Sequence, residues 1–208
     1  MTAPLRIGLI GAGGIAAQHL RAFSGMEGVA ITAVADLDLA RAEARAATCG
    51  ALAFGRYQDM FDRVDAVVVC TPPQWHRAPT VEAAQAGKHI FCEKPIALTL
   101  ADADAMIDAA DTAGVVLQIG HNFHFEPGFR ALHDLFAAGA LGDLVYCWFQ
   151  QSGYSPARVW EARRQEQHWR LTPEQSGGLP AQGCWSIAVI LGARAGKTSW
   201  ALLLPSHR

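Results

Sequence analysis

Cysteine is scarce and scattered in this 208-residue chain: Cys49, Cys70, Cys92, Cys147 and Cys184 are an odd number, too far apart for a CxxC metal or redox motif. That spacing also excludes the dense disulfide framework of a small secreted domain, so a reducing, cytoplasmic setting is expected. Charge is low as well, at 17%, and prolines number 10, while hydrophobic residues make up 51%; a disordered, collagen-like or coiled-coil chain is excluded. No excess of one sign stands out. Seventeen Lys plus Arg against 19 Asp plus Glu give a net charge of −2, which offers a nucleic-acid backbone no footprint. Long apolar runs are missing too: none approaches the roughly 20 residues that cross a bilayer. Ile7 to Ala17, after Arg6, comes nearest to a signal-peptide core, but its glycines and the polar continuation Gln18, His19 and Arg21 break it. Neither nucleic acid nor membrane is an expected partner.

What is present is an alternation of two periodicities over the first 120 or so residues. The runs LRIGLI (5–10), AITAVAD (30–36), DAVVVC (65–70), KHIFCE (88–93) and VVLQIG (115–120) are almost continuously apolar, as strands buried on both faces must be. Between them lie helical patterns, one with Ile15, His19, Ala22, Phe23 and Met26 on a face and another with Leu100, Ala103, Met106, Ile107 and Ala110. The second has Thr99 as N-cap with Asp102 three residues on, and Gly114 as its stop. Strand and helix in this order make an α/β fold, a doubly wound parallel sheet over residues 1–122. The pattern then changes. A helix from Pro127 to Gly139 with Leu132, Leu135 and Phe136 on its apolar face leads into a strand at 144–150, and five of the six tryptophans lie from Trp148 onward. Residues 123–208 are therefore expected to form part of a second, incomplete α/β domain.

Gly11, Gly13 and Ala16 form G-x-G-x-x-A between the first strand and the first helix. The first glycine permits the tight turn, the second lets backbone approach a pyrophosphate, and the small third residue lets helix pack close to strand. Amides at the helix start, including those of Gly14 and Ile15, can then hold phosphate oxygens. A structural glycine turn is the plainer alternative for this motif alone. Asp36 adds to it, about twenty residues past the turn and after the second strand, where a carboxylate accepts from an adenosine ribose. The same charge repels a 2′-phosphate, so NAD is favoured over NADP; Arg41 nearby keeps NADP open.

Two clusters follow later strands: Thr71-Pro72-Pro73-Gln74-Trp75-His76 and Glu93-Lys94-Pro95. With the glycine turn and the acid after the second strand, this order of T-P-x-x-x-H and E-K-P resembles the Gfo/Idh/MocA family of nicotinamide-dependent oxidoreductases. The resemblance extends through GHNFHFEPGFRAL (120–132), Trp169-Arg170 and Ser176-Gly177-Gly178. It implies a Rossmann domain, a second domain with a large open sheet, and a small-molecule substrate such as a polyol or sugar, with full-length relatives assembling as homo-oligomers.

The resemblance makes Lys94 the catalytic group, an ammonium that hydrogen-bonds a substrate hydroxyl and exchanges its proton while hydride moves to or from the ring; burial is expected to tune it. Glu93 would orient Lys94 or touch the nicotinamide ribose, His76 would lie near cofactor or substrate, and Thr71, Pro72 and Asn122 would border the cofactor. Phe123 and His124 stand where relatives commonly carry arginine. No set of three or four metal ligands is apparent around His121 and His124, so no metal is expected. In the family, an Asp and a His follow the glycine-rich stretch; here those places hold Ala181 and Trp185. Residues 175–208 contain no Asp or Glu and carry Arg194, Lys197 and Arg208. An early stop or a shifted frame near residue 178 would account for both. Three readings stay open: an NAD-dependent oxidoreductase, an NAD-using glycoside hydrolase, and a non-catalytic nucleotide-binding fragment or pseudoenzyme.

Overall fold

The apolar runs at the start of the chain are strands that pair side by side, all parallel, in a six-stranded sheet. In this computed structural model, residues 3–142, 147–152, 156–165, 172, 176 and 184–189 are described. The chain divides into two compact units, Met1–His121 with Thr172–Gly178, and Asn122–Leu171 with Leu179–Arg208.

The first unit runs β1 (Leu5–Ile10), α1 (Gly14–Phe23), β2 (Val29–Ala35), α2 (Leu39–Ala47), β3 (Leu52–Phe54), a 3-10 segment (Tyr57–Arg63), β4 (Ala66–Val69), a short 3-10 turn (Pro73–Trp75), α3 (Arg77–Gln85), β5 (His89–Cys92), α4 (Leu100–Ala113) and β6 (Leu117–Ile119). Strand order is β3-β2-β1-β4-β5-β6. The direction of winding reverses between β1 and β4, the Rossmann arrangement expected from the sequence.

Because successive residues of a strand point to opposite faces, each continuously apolar run feeds two cores. Val67 and Val69 join Ile10, Ala33, Ala35 and Ile90 on one face, packed with Ala83 and Ala84 of α3 and Met106 of α4. Val68 and Cys70 join Ile7, Leu9 and Val34 on the other, under Ala16 and Leu20 of α1 and Ala42 and Ala46 of α2. The helices press alanines to the sheet, which brings their backbones close. Helix α4 has the expected ends: Thr99 Oγ1 accepts from the Asp102 amide at 3.1 Å, and Gly114 is left-handed at φ +65°. Its buried stripe is narrower than expected, with Met106 and Ala110 inside but Leu100, at the first helical position, 84% exposed.

The sequence patterns do not pick out β3 or α3. The first is three residues long, below any readable period, and α3 buries Pro79, Thr80, Ala83 and Ala84 rather than large apolar side chains.

The second unit opens with a 3-10 turn (Asn122–Phe125) and α5 (Pro127–Ala137), which has proline in its first turn and is followed by left-handed Gly139. It also holds β7 (Cys147–Ser152), α6 (Ala157–Gln165) and β8 (Cys184–Val189), with β7 and β8 antiparallel. The strand expected at 144–150 begins at Cys147 among the described residues; residues 143–146 lie outside them. Among the described residues no helix is long and apolar enough to cross a membrane.

Candidate functional site

Register places the candidate residues along one edge. Phe54 pairs with Ala35, Ala35 with Ile10, Ile10 with Val69, Val69 with Cys92, and Cys92 with Ile119, so the last residues of all six strands share a rung. The ladder continues one step further: the amides of Gly11, Asp36, Cys70, Glu93 and Gly120 donate to Ala35, Phe54, Ile10, Val69 and Cys92. Everything just past that rung emerges at the carboxyl edge around the switch point, where open α/β sheets bind ligands.

At the end of β1, Gly11 has φ +95°, and a Cβ there would lie 3.1 Å from the Cys70 carbonyl carbon and oxygen. The turn therefore needs glycine for its conformation and for its approach to the neighbouring strand. Gly13 and Gly14 differ, since a Cβ on either meets nothing within 4 Å. Space stands open over the turn. Helix α1 starts there with no side-chain cap and no acid in its first turn, so its positive end is left to an outside anion. Ile15, half-buried, lies in the same first turn.

Asp36 is fastened to this turn. Its Oδ2 accepts from the Ala12 amide at 2.8 Å and its Oδ1 from the Asp38 amide at 2.9 Å, while Arg41 Nη1 lies 3.9 Å from Oδ2. From α2, Arg45 donates to the carbonyls of Ala12 and Gly13 at 3.3 and 3.4 Å. Arg45 was not apparent from sequence; its signal was a basic residue one turn past Arg41 on the helix that starts beside the acid.

After β4, Thr71 and Pro72 are half-buried, and Thr71 Oγ1 donates to the Trp75 carbonyl at 3.3 Å. His76 is enclosed by the loops on either side of it. It is 0% exposed, with Nδ1 2.9 Å from the Pro95 carbonyl oxygen and Nε2 2.9 Å from that of Thr71. A neutral imidazole meets one of these acceptors with its N–H; the protonated ring meets both. Either way His76 ties the Thr71 loop to the Lys94–Pro95 turn.

After β5, Glu93 and Lys94 diverge. Glu93 Oε1 accepts from His19 Nε2 of α1 at 2.7 Å, with both side chains about one-sixth exposed, 15% and 16%. Burial pushes the Glu93 carboxyl up, but the His19 hydrogen bond and charge, with the Lys94 amide and charge, hold it below the usual range. Lys94 is exposed, so the burial expected around it is not found in this unit. Beneath them, burial and the Glu93 charge push the Cys70 thiol up, and Cys92 is raised to about 12, chiefly by burial. Neither is a ready thiolate. His19, like Arg45, is not marked by the sequence motifs; its signal is a polar ring on an apolar helical face, which needs a buried partner.

Asn122 is exposed and belongs to the second unit. Trp169, Arg170, Gly177, Gly178 and Ala181 lie outside the described residues, and Trp185 falls in β8. Among the described residues no three His, Cys, Asp or Glu gather as metal ligands.

Three comparisons bear on the site. An uncharacterized oxidoreductase of Streptococcus pneumoniae is 35% identical over 176 residues, 84% of this chain and 46% of that protein. A 2,7-anhydro-N-acetylneuraminate hydratase of Escherichia coli is 32% identical over 174 residues, 84% of this chain and 45% of that protein. The WlbA dehydrogenase of Bordetella pertussis, solved in complex with NADH and UDP-GlcNAcA, superposes with a TM-score of 0.74 at 27% identity, covering 85% of this chain and 51% of that one. This chain spans about half the length of the curated relatives it matches. The pattern described as "Oxidoreductase family, NAD-binding Rossmann fold" matches residues 5–121, the span that carries the switch point, the glycine turn and the E-K-P segment. The chain belongs to that family, Gfo/Idh/MocA.

Proposed function

We propose that the chain holds a nicotinamide dinucleotide at the carboxyl edge of its sheet, NAD(H) in preference to NADP(H), and serves hydride exchange with a hydroxyl-bearing carbon of a polyol, sugar or similar small molecule. The observation that carries this reading is the shared rung, which delivers the glycine turn, Asp36, the Thr71 loop and the Glu93–Lys94 pair to one edge. The residues fit the group: the turn is open where a Cβ on Gly13 or Gly14 would stand, and the start of α1 lacks a competing cap.

Gly11, Gly13, Gly14 and Ile15 bind the pyrophosphate through backbone amides, and Asp36 lies where the adenosine ribose would reach. Thr71 and Pro72 border the nicotinamide half. When bound, the nicotinamide supplies the hydride acceptor or donor. Lys94 hydrogen-bonds the substrate hydroxyl and takes its proton as C–H hydride leaves, returning that proton in the reverse direction. Glu93 holds the lysine segment in place. His76 serves from beneath, by joining the two loops.

The sugar class draws on two relatives, a hydratase of an anhydro sugar and a dehydrogenase solved with UDP-GlcNAcA. The hydratase name also favours a second reading, in which hydride returns to the substrate and no net oxidation occurs. The low cysteine content supports a cytoplasmic location, and the near-neutral charge a small-molecule partner rather than nucleic acid.

The test is absorbance of NADH with a panel of polyols, keto sugars and anhydro sugars, together with analysis of the sugar products, for the unmutated chain and Lys94→Ala. Turnover lost in Lys94→Ala supports the assignment. Equal turnover in both removes Lys94 from the chemistry, and product formed without net NADH change selects the second reading.

A further inference from the structure

His19 has three constraints on one ring. Phe23 stacks on it with centroids 6.1 Å apart, Phe91 meets it edge-on at 5.3 Å, and Nε2 donates to Glu93 Oε1 at 2.7 Å. The second carboxylate oxygen of Glu93, Oε2, accepts from the Lys94 amide at 3.2 Å. One carboxylate thus bridges the helix that starts at the glycine turn and the backbone of the lysine, across 74 residues of sequence.

A glutamate at a strand end has three side-chain torsions, and a carboxylate without a fixed partner turns toward water. The ring of His19 packs against both aromatic neighbours, which restricts the rotamers open to it. A charge-assisted hydrogen bond from a fixed donor is short and strong enough to select one rotamer. We propose that His19 is a positioning residue: it fixes the Glu93 carboxylate, and through it the Lys94 backbone, relative to the glycine turn. The inference rests on the reading of Lys94 and the turn given above, and deepens it by naming what aligns the two.

The titratable groups facing Glu93 are His19 from α1, Lys94 in its own segment, and the thiols of Cys70 and Cys92 after β4 and in β5. His19 and Lys94 favour the carboxylate, whereas burial disfavours it. Removing the His19 donor leaves burial less opposed.

Two variants of the 208-residue chain separate positioning from packing. His19→Phe keeps an aromatic ring between Phe23 and Phe91 but has no N–H; His19→Gln keeps a donor near the Nε2 position but has no ring. The measurements are the Glu93 carboxyl carbon resonance through a pH titration of the cofactor-free protein, the Lys94 amide resonance, and NADH affinity by calorimetry. In His19→Phe the Glu93 carboxyl should titrate at higher pH, the Lys94 amide should move, and NADH should bind about tenfold more weakly, the scale of one lost hydrogen bond to a charged group. His19→Gln should restore the Lys94 amide position and NADH affinity, and should bring the Glu93 titration only part of the way back, because the hydrogen bond returns without the charge. The proposal is overturned if folded His19→Phe titrates like the unmutated chain, or if His19→Gln is the defective variant, which is the outcome for a ring that only packs. Should His19→Phe not fold, a displaced Lys94 amide resonance in folded His19→Gln overturns it, and an unchanged one supports it. An unmutated chain that binds no NADH defeats the cofactor reading instead, and the cofactor-free titration still decides the role of His19.

Discussion

Asp36 Oδ2 accepts the backbone amide of Ala12 at 2.8 Å, so the acid that follows β2 is part of the glycine turn that follows β1. In the proposed function its carboxylate both shapes the phosphate site and accepts from the adenosine ribose. Asp36→Ala should therefore weaken NAD binding about tenfold or more, from a charged hydrogen bond of about 1.5–3 kcal/mol, and should narrow the gap between NAD and NADP because a repelling charge is gone. Calorimetry with both dinucleotides measures this. Equal affinities in the unmutated chain would contradict the preference for NAD.

The glycines of the turn should separate stability from binding. Gly11→Ala forces a side chain into φ +95° and against the Cys70 carbonyl, so it should cost about 1–3 kcal/mol of unfolding free energy. Gly13→Ala meets nothing within 4 Å and should leave stability within about 0.5 kcal/mol. Its methyl enters the open space assigned to the pyrophosphate, so NADH binding should fall. Urea denaturation and NADH titration of the two variants check the pair, and Gly13→Ala binding like the unmutated chain would move the phosphates elsewhere.

His76 should behave as a tie. His76→Ala removes a fully buried ring and leaves the carbonyls of Thr71 and Pro95 without their partner, a loss of about 2–4 kcal/mol. Chemical denaturation reads it. An unchanged stability together with abolished turnover would make His76 a reacting group instead.

Much of this was legible in the sequence because local rules and the global fold agree there. LRIGLI followed by G-x-G-x-x-A reads as a buried strand entering a phosphate turn, and Thr99, Asp102 and Gly114 mark both ends of α4 by capping chemistry alone. The three residues of β3 carry no period, and α3 hides its contact face in small residues. The contact of His19 with Glu93 joins α1 to the end of β5, and no local pattern announces a pairing at that separation. His76 reads as a loop histidine until the fold closes carbonyls over both of its nitrogens.

Away from the site, Arg6 near the start of β1 holds Asp65, just before β4, through its backbone amide and guanidinium. Those hydrogen bonds hold the Asp65 carboxyl at about 2, below its ordinary value. A carboxyl depressed in the folded state adds stability above the unfolded value, about pH 4, and loses it as pH falls through about 2. The stability difference between the unmutated chain and Asp65→Asn should shrink over that window. It should also shrink in high salt, since the side chains are 44% and 38% exposed. Denaturation midpoints across pH and salt test this, and a difference independent of pH would contradict it.

Whether a nicotinamide dinucleotide sits at the carboxyl edge of the sheet is read by titrating the isotope-labelled 208-residue chain with NADH and following backbone amide resonances. Saturable shifts should gather at Gly11, Gly13, Gly14, Ile15, Asp36, Thr71 and Lys94, with weaker binding in Gly13→Ala. No saturable change at millimolar NADH, or shifts confined to residues away from that edge, would contradict it.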